Sequence, residues 1–222
     1  MLSVRGTRPV PRWVVILSVL VLLIGILLAI APVRHALLRG AGHALVKNDR
    51  IEPADVIVIA ADARAVGALE AADLVREGIS RRIALFFYEP DRADRELARR
   101  GAPTVDLNTL TLEQLHAMQV HAAIEVIPGS IAGTTDEGEI LGRWCRERSI
   151  RTLLFVSTTD HSRRARRVLN RALADYGTRV IVHASRYSSF DPDSWWQSRD
   201  GRRTELTESE KLLLDLLRHP FS

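Results

Sequence analysis

The chain has 222 residues, of which 46% are hydrophobic, 26% charged and 5% aromatic. This composition excludes a disordered chain, the length excludes a transporter with many membrane spans, and the single cysteine excludes an internal disulfide framework. The net charge of +4 is uneven: residues 1–50 carry seven basic residues against one acidic residue, whereas the remainder carries 24 against 26. Because the larger part of the chain has no basic excess, we expect no nucleic-acid partner.

Residues 13–31 form a run of 19 residues without a charged side chain. A helix of this length, at about 1.5 Å per residue, approaches the ~30 Å thickness of the bilayer core, so we predict a transmembrane anchor. A cleaved signal peptide is the alternative, because Ala29-Ile-Ala31 is similar to a cleavage site; the long apolar run and Pro32 favour retention. The arginines before the span favour a short cytoplasmic N-terminus at residues 1–12 and a plasma (inner) membrane protein whose C-terminal domain is extracytoplasmic.

After the span we predict a basic juxtamembrane segment at residues 32–51, forming a short helix near the lipid headgroups, and an α/β domain at residues 52–218. Apolar runs predict five strands, at residues 55–60, 82–87, 124–127, 152–156 and 179–183. Helical spacing of apolar residues predicts helices between and after them, at residues 66–75, 91–100, 112–121, 135–148, 165–176 and 206–217. Because the strands are continuously apolar and alternate with helices, the sequence predicts a doubly wound, mostly parallel sheet with helices on both faces.

Polar clusters follow three of the predicted strands. Ligands of open parallel sheets bind beyond the carboxyl ends of the strands, where loops meet helix N-termini. The first of these loops holds Asp62, the second spans residues 128–137, and the third spans residues 157–164. We therefore expect any binding site to lie in these loops.

The third loop combines hydroxyl, imidazole and guanidinium groups at the start of a predicted helix. The free N–H groups of a helix N-terminus attract anions, and Thr158, His161 and Arg164 would supplement them around a phosphate or a carboxylate. The structural alternative is that Asp160 or Thr159 caps the helix and that the arginines face solvent. Both interpretations remain open from the sequence.

The second loop supplies Ser130, Thr135 and Glu137 as candidate ligand-binding or catalytic residues. Thr134 followed by Glu137 fits a capping box, which is the favoured interpretation. Glu137 would instead be a general acid or base if it faced His161. No metal-ligand pattern is present, so we predict no metal site, and the sequence does not identify a cofactor. His183, in a predicted strand, is taken as an ordinary strand residue.

These motifs, in this order, resemble the YdcF/SanA/ElyC-like family of bacterial envelope proteins over about residues 52–217. The resemblance rests on the start of the domain at Ala54-Asp55, on Thr135-Asp-Glu137, on His161-Ser-Arg-Arg164-Ala165, and on a tail of Trp196, Arg203, Glu208 and Lys211. Two departures stand out. Ala60-Ala61-Asp62 replaces a glycine-rich turn, and Thr134 and Gly138 replace the asparagines around the Thr-x-Glu element.

The resemblance implies a membrane-anchored protein of the cell envelope, acting in barrier integrity and in cell-wall or lipid-carrier metabolism. It implies a phosphate-bearing envelope lipid or precursor as the ligand, beside the bilayer itself as a partner. His161 and Glu137 would be catalytic, and Arg164, Thr135, Ser130, Thr158 and Asp62 would bind the ligand. Two alternatives remain: a non-catalytic envelope scaffold, or an enzyme that binds a nucleotide or S-adenosylmethionine if the domain is cytoplasmic.

Overall fold

The computed structural model describes residues 11–220, which form two compact units divided between Ala41 and Gly42. The described part of the first unit is helical, with α1 over Arg12–Ala29 and most of α2 over Ala31–Leu45. Within the described residues, no helix has both the length and the apolar content that crossing a membrane requires. Nearly all of the N-terminus predicted to be cytoplasmic lies outside the described residues.

The second unit is built on a five-stranded sheet in the order β3-β2-β1-β4-β5, in which every adjacent pair of strands is parallel. The strands are β1 (Val56–Ile59), β2 (Arg82–Phe86), β3 (Ala123–Ile127), β4 (Thr152–Ser157) and β5 (Arg179–Ala184). The predicted parallel α/β sheet is therefore confirmed. Short runs of β-branched and aliphatic residues form these strands because both faces of a parallel sheet are covered.

Six helices follow the strands or connect them. They are α3 (Arg64–Arg76), α4 (Arg92–Arg99), α5 (Leu107–Ala117), α6 (Thr134–Glu147), α7 (Ser162–Leu173) and α8 (Arg199–Arg218). Two of them begin at least five residues earlier than predicted, α5 by five residues and α8 by seven. In each case a polar side chain caps the helix: Asp106 accepts a hydrogen bond from the N–H of Asn108, and Ser198 accepts one from the N–H of Gly201.

The hydrophobic core lies on both faces of the central strands. All four residues of β1 are buried, and so are the last five residues of β4, with Phe155 the largest fully buried side chain. Helix α3 packs against α5, and α6 packs against α7. Right-handed crossovers place these two helix pairs on opposite faces of the sheet.

The segment before β1 is bonded to the far edge of the sheet. The N–H of Asp49 donates to the carbonyl oxygen of Val182 at 2.9 Å, and the N–H of Val182 donates back to the Asp49 carboxylate at 3.0 Å. The N–H of Lys47 donates to Ser162 Oγ at 2.8 Å. Residues that the sequence assigned to a juxtamembrane segment are therefore part of the compact α/β unit.

A buried polar cluster joins this segment to α3 and β5. Glu70 is fully buried, and its Oε1 lies 2.9 Å from His183 Nε2 and 2.9 Å from Arg186 Nη2. His183 Nδ1 lies 2.8 Å from the side-chain oxygen of Asn48. His183 is therefore more than an ordinary strand residue, because its ring connects three segments that are far apart in sequence.

Replacement of Glu70 by Gln tests this cluster through the pH dependence of stability. Burial favours the protonated carboxyl, but hydrogen bonds from His183 and Arg186 outweigh it and lower the pKa of Glu70 to about 2. A carboxyl whose pKa is lowered by folding stabilises the protein above its unfolded pKa of about 4.3 and loses that contribution as the pH falls towards 2. We expect Glu70→Gln to reduce the loss of stability between about pH 4.5 and pH 2, followed by urea denaturation.

The same substitution should lower stability near neutral pH by about 1–3 kcal/mol, because a buried charged hydrogen bond is lost. Glu139→Gln, at an exposed position on α6, is the matched control. Identical pH profiles for Glu70→Gln and the wild type would contradict the assignment.

Candidate functional site

The order in which the strands are added to the sheet reverses between β1 and β4. Strands β2 and β3 lie on one side of β1, and β4 and β5 lie on the other side. A crevice opens at the carboxyl ends of two parallel strands where the strand order reverses in this way, and ligands bind there. The loops that follow β1, β3 and β4 carry the three polar clusters found in the sequence.

His161, at the start of α7, is held by two partners and is only 2% exposed. Its Nε2 lies 3.2 Å from Thr134 Oγ1, and its Nδ1 lies 3.3 Å from Glu208 Oε2. These partners come from α6 and α8, so three helices meet at this imidazole. The two partners fix the plane of the ring and leave little freedom to rotate.

Arg164 is one turn further along α7 and turns back to the same partners. Its Nε and Nη2 each lie 3.0 Å from Glu208 Oε2, and its Nη1 donates to Thr134 Oγ1 at 2.9 Å. Lys211 Nζ donates to the other oxygen of Glu208 at 2.7 Å. The sequence predicted Arg164 as a ligand-binding residue; the structure places all three of its guanidinium nitrogens against protein partners.

Glu137 is buried in α6 and holds the loop that follows β1. Its Oε1 accepts a hydrogen bond from the N–H of Ala61 at 2.9 Å. The predicted capping box of Thr134 and Glu137 is wrong, because Gly133 occupies the cap position and neither side chain caps the helix. Both side chains have tertiary partners instead, which compete with a local cap.

Three helix N-termini at this edge lack a side-chain cap. They are those of α3, α6 and α7, which begin after Ala63, Gly133 and His161, whereas α4, α5 and α8 each have a capping side chain. The predicted cap of α7 by Asp160 or Thr159 is therefore also wrong. The three uncapped helices are those that directly follow β1, β3 and β4, so their free amides lie at the crevice, where they favour an anion.

The other predicted ligand-binding residues lie around this centre but do not all converge on it. Asp62 is exposed in the loop after β1, and its charge acts on His161 and Glu137. Thr135 is exposed on the first turn of α6. Thr158 shares a cavity with Asp62, and Ser130 donates to Glu89 at 2.9 Å in a different cavity.

Two cavities flank the loop after β1. One, of about 440 Å³, lies beyond β1 and β2 and includes Arg64, Tyr88, Glu89 and Ser130 in its lining. The other, of about 460 Å³, is lined by Asp62, Thr158, Asp160, Ser189, Phe190, Ser198, Asp200, Gly201 and Thr204. Arg64 has φ of +38°, a left-handed conformation that favours glycine, at the turn where the resemblance implies a glycine-rich sequence.

The charges of the site are strongly coupled. Burial disfavours the imidazolium of His161, but the carboxylates of Asp62 and Glu208 outweigh burial and raise the pKa of His161. Burial also disfavours the charge of Glu208, yet hydrogen bonds from His161 and Lys211 lower the pKa of this carboxyl to about 2. Burial raises the pKa of Glu137, which makes this carboxyl a candidate proton donor.

Sequence reasoning assigned no functional role to Glu208. It belongs to the Glu-x-x-Lys tail of the resemblance, and its i, i+3 spacing from Lys211 on α8 was the available signal. Across residues 11–220, no three histidine, cysteine, aspartate or glutamate side chains are arranged to share a metal ion. Cys145 is buried, and burial raises the pKa of its thiol to about 12, so it packs in the core without a reactive thiolate.

Comparison with known proteins adds little to this geometry. No protein-family model matches the chain, and no curated protein matches it. Among solved structures, the chain is similar to HcgE from Methanothermobacter marburgensis with guanylylpyridinol and ATP bound, at 14% identity and a TM-score of 0.28. The alignment covers 78% of this chain and 100% of that one. A similarity this distant carries no inference about ligand or function.

Replacement of Glu208 by Gln tests the coupling between α7 and α8. The carboxylate of Glu208 stabilises the imidazolium of His161, so its removal should lower the pKa of His161. The imidazole Cε1–H resonance, followed by NMR across pH 5–9, measures this shift directly, and exposed His116 serves as the internal reference. An unchanged His161 titration in Glu208→Gln would contradict the described contact.

Proposed function

We propose that the α/β domain binds an anionic, phosphate-bearing ligand in the crevice between β1 and β4. The observation that carries the proposal is the meeting of three uncapped helix N-termini with His161, Arg164 and Glu137 at this edge. Free amides at helix N-termini favour bound phosphate through direct hydrogen bonds and the helix dipole. The binding energy must be local, because residues 51–222 carry a net charge of −2 and provide no general positive field.

His161 is the group that we expect to exchange a proton with the ligand. The carboxylates of Asp62 and Glu208 raise its pKa, and an imidazole serves as either acid or base. Glu208 orients the ring, and Arg164 and Lys211 compensate the charge of Glu208. Glu137 fixes the position of the Ala61 amide beside the expected anion.

The cellular setting that we propose is the bacterial envelope, and the chain would be a YdcF/SanA/ElyC-like protein. Residues 13–31 would anchor it in the inner membrane, with the α/β domain outside the cytoplasm. The uncharged run of 19 residues and the arginines before it support this arrangement. The ligand would be a phosphate-bearing envelope lipid or cell-wall precursor, consistent with a role in barrier integrity or lipid-carrier metabolism.

Binding of inorganic phosphate is the first test of the site. We expect phosphate to raise the melting temperature of the full-length protein in detergent, and His161→Ala to remove most of this increase because the imidazole proposed to meet the anion is lost. His116→Ala, at an exposed position on α5, is the matched control and should keep the wild-type response.

Sulfate is the control for general stabilisation by salt, because sulfate and phosphate are excluded from protein surfaces to a similar degree. If phosphate stabilised the wild type and His161→Ala equally, the proposed phosphate site in the crevice would be refuted.

A topology reporter fused after Ser222 tests the membrane arrangement. An extracytoplasmic domain predicts activity of a periplasmic reporter such as alkaline phosphatase and no fluorescence from a cytoplasm-only reporter. Deletion of residues 1–31 should release the protein from the membrane fraction. The reverse reporter pattern would place the domain in the cytoplasm and refute the proposed orientation.

A nucleotide ligand is the second candidate function, and one cavity favours it. The cavity of about 440 Å³ lies beyond β1 and β2, where nucleotide-binding sheets hold the nucleoside, and Glu89 follows β2 where an acidic residue would accept ribose hydroxyls. Glu89 is already bonded to Ser130 and paired with Arg95. A greater melting-temperature increase with AMP or S-adenosylmethionine than with phosphate would favour this candidate.

A further inference from the structure

The hydroxyl of Thr134 bonds to residues that are distant in sequence. It is the first residue of α6, and its hydroxyl is shared by His161 Nε2 at 3.2 Å and Arg164 Nη1 at 2.9 Å. A threonine at a helix start ordinarily caps that helix, but this hydroxyl turns away to two residues that are 27 and 30 positions later in the chain. The three-dimensional partners therefore decide its role.

The hydrogen-bonding capacity of each group assigns the direction of the bonds. The guanidinium of Arg164 only donates, so Thr134 Oγ1 accepts from it. The Glu208 carboxylate accepts from Arg164 and Lys211, and it accepts from the Nδ1–H of His161. In the neutral imidazole Nε2 then carries the lone pair, and the hydroxyl of Thr134 donates its proton to it.

Hydroxyl, imidazole and carboxylate are thus connected in series, from Thr134 through His161 to Glu208. A weak hydroxyl nucleophile is activated when a base accepts its proton and a third group orients that base, and the contacts can be loose before substrate binds. The distances of 3.2 Å and 3.3 Å fit this arrangement. Arg164 adds a positive charge beside the oxygen that would lose its proton.

We propose that Thr134 is the nucleophile of a phosphate-ester hydrolase, with His161 as its general base and Glu208 as the positioning residue for His161. This inference rests on the proposed phosphate site and adds a reaction to it.

In the first step, Thr134 Oγ1 attacks the phosphorus of a phosphate monoester and its proton moves to His161 Nε2. The bond between phosphorus and the ester oxygen breaks, and the leaving oxygen, in line with Thr134 on the far side of phosphorus, takes its proton from water, which leaves a hydroxide. In the second step, hydroxide attacks the phosphothreonine, the bond between phosphorus and Thr134 Oγ1 breaks, and Thr134 Oγ1 takes its proton back from His161 Nε2 as inorganic phosphate leaves. No oxidant, reductant or further co-reactant is consumed.

The N-terminus of α6 is suited to bind a phosphoryl group next to Thr134. Gly133 provides no side-chain cap, so the first amides of α6 are available to the phosphoryl oxygens next to the nucleophile. Asp136 accepts the N–H of Ala132 at 2.8 Å and holds the loop before the helix in place. Thr134 is 8% exposed and lies between exposed Gly133 and Thr135.

Kinetics of the full-length protein in detergent with p-nitrophenyl phosphate test the proposal. We expect Thr134→Ala to lower kcat by at least about 100-fold, as for loss of an activated nucleophile, while the melting-temperature increase with inorganic phosphate persists. Thr134→Ser keeps the hydroxyl and should retain activity within about tenfold of the wild type, an allowance made for the altered side-chain packing. Thr104→Ala, an exposed threonine in the loop between α4 and α5, is the matched control.

Formation of the phosphothreonine at residue 134 can be measured directly. Acid quenching during turnover should trap one phosphoryl group on the wild-type chain and on Thr134→Ser, located at residue 134 by tandem mass spectrometry, and none on Thr134→Ala. Glu208→Gln should lower kcat and shift the pH profile of kcat/KM to lower pH, because the pKa of His161 falls.

The proposal would be overturned by wild-type kcat in Thr134→Ala, by a phosphoryl group trapped at another residue, or by hydrolysis of p-nitrophenyl acetate but not of the phosphate ester. If the wild type hydrolysed no phosphate ester but was still stabilised by phosphate, the hydrolase would be refuted and the proposed phosphate binding would stand. If phosphate did not stabilise the wild type either, the hydrolase and the proposed phosphate binding would both be refuted.

Discussion

The compensation of one buried carboxylate, that of Glu208, determines how helices α6, α7 and α8 are arranged at the carboxyl edge of the sheet. Removing a carboxylate from water costs several kcal/mol unless cations and hydrogen-bond donors replace the lost hydration. Arg164, Lys211 and His161 provide that replacement, and together they tie α8 to α7. Because His161 and Arg164 also hold Thr134, the same charge fixes the start of α6. Three helices that follow different strands are thus oriented by one group.

This arrangement explains why the arginines of α7 do not create a basic surface. Arg167 and Arg171 pair with Asp215, and Arg166 pairs with Asp49, so their charges are used within the unit. The unit as a whole has slightly more acidic than basic residues. An anion bound at this edge would therefore be held by backbone amides and by the imidazole of His161 at short range, and only weakly by the long-range field.

The sheet was predictable because burial on both faces leaves a plain signal, an uninterrupted apolar run such as Val56–Ile59. The site was predictable only in part. The sequence placed His161 and Glu137 in loops at this edge, but it favoured a capping box for Thr134 and Glu137 and left a cap by Asp160 or Thr159 open, since capping is the usual role of such residues at helix starts. Tertiary partners of Thr134 and Glu137 overrode the capping box. The Glu70, His183 and Asn48 cluster gave no local pattern, because its members are brought together only by the fold.

The bonds made by residues 46–49 have a mechanical consequence. This segment is the covalent path between the first unit and the sheet, and it is fastened to Ser162, the residue after His161, and to Arg163, which donates to the carbonyl oxygen of Val46 at 2.9 Å. A force that pulled on residues 46–49 from the first unit would therefore act first on the first turn of α7. A fragment that begins at residue 52 would lack both of these hydrogen bonds to the first turn of α7, whereas one that begins at Gly42, the first residue of the unit, would keep them.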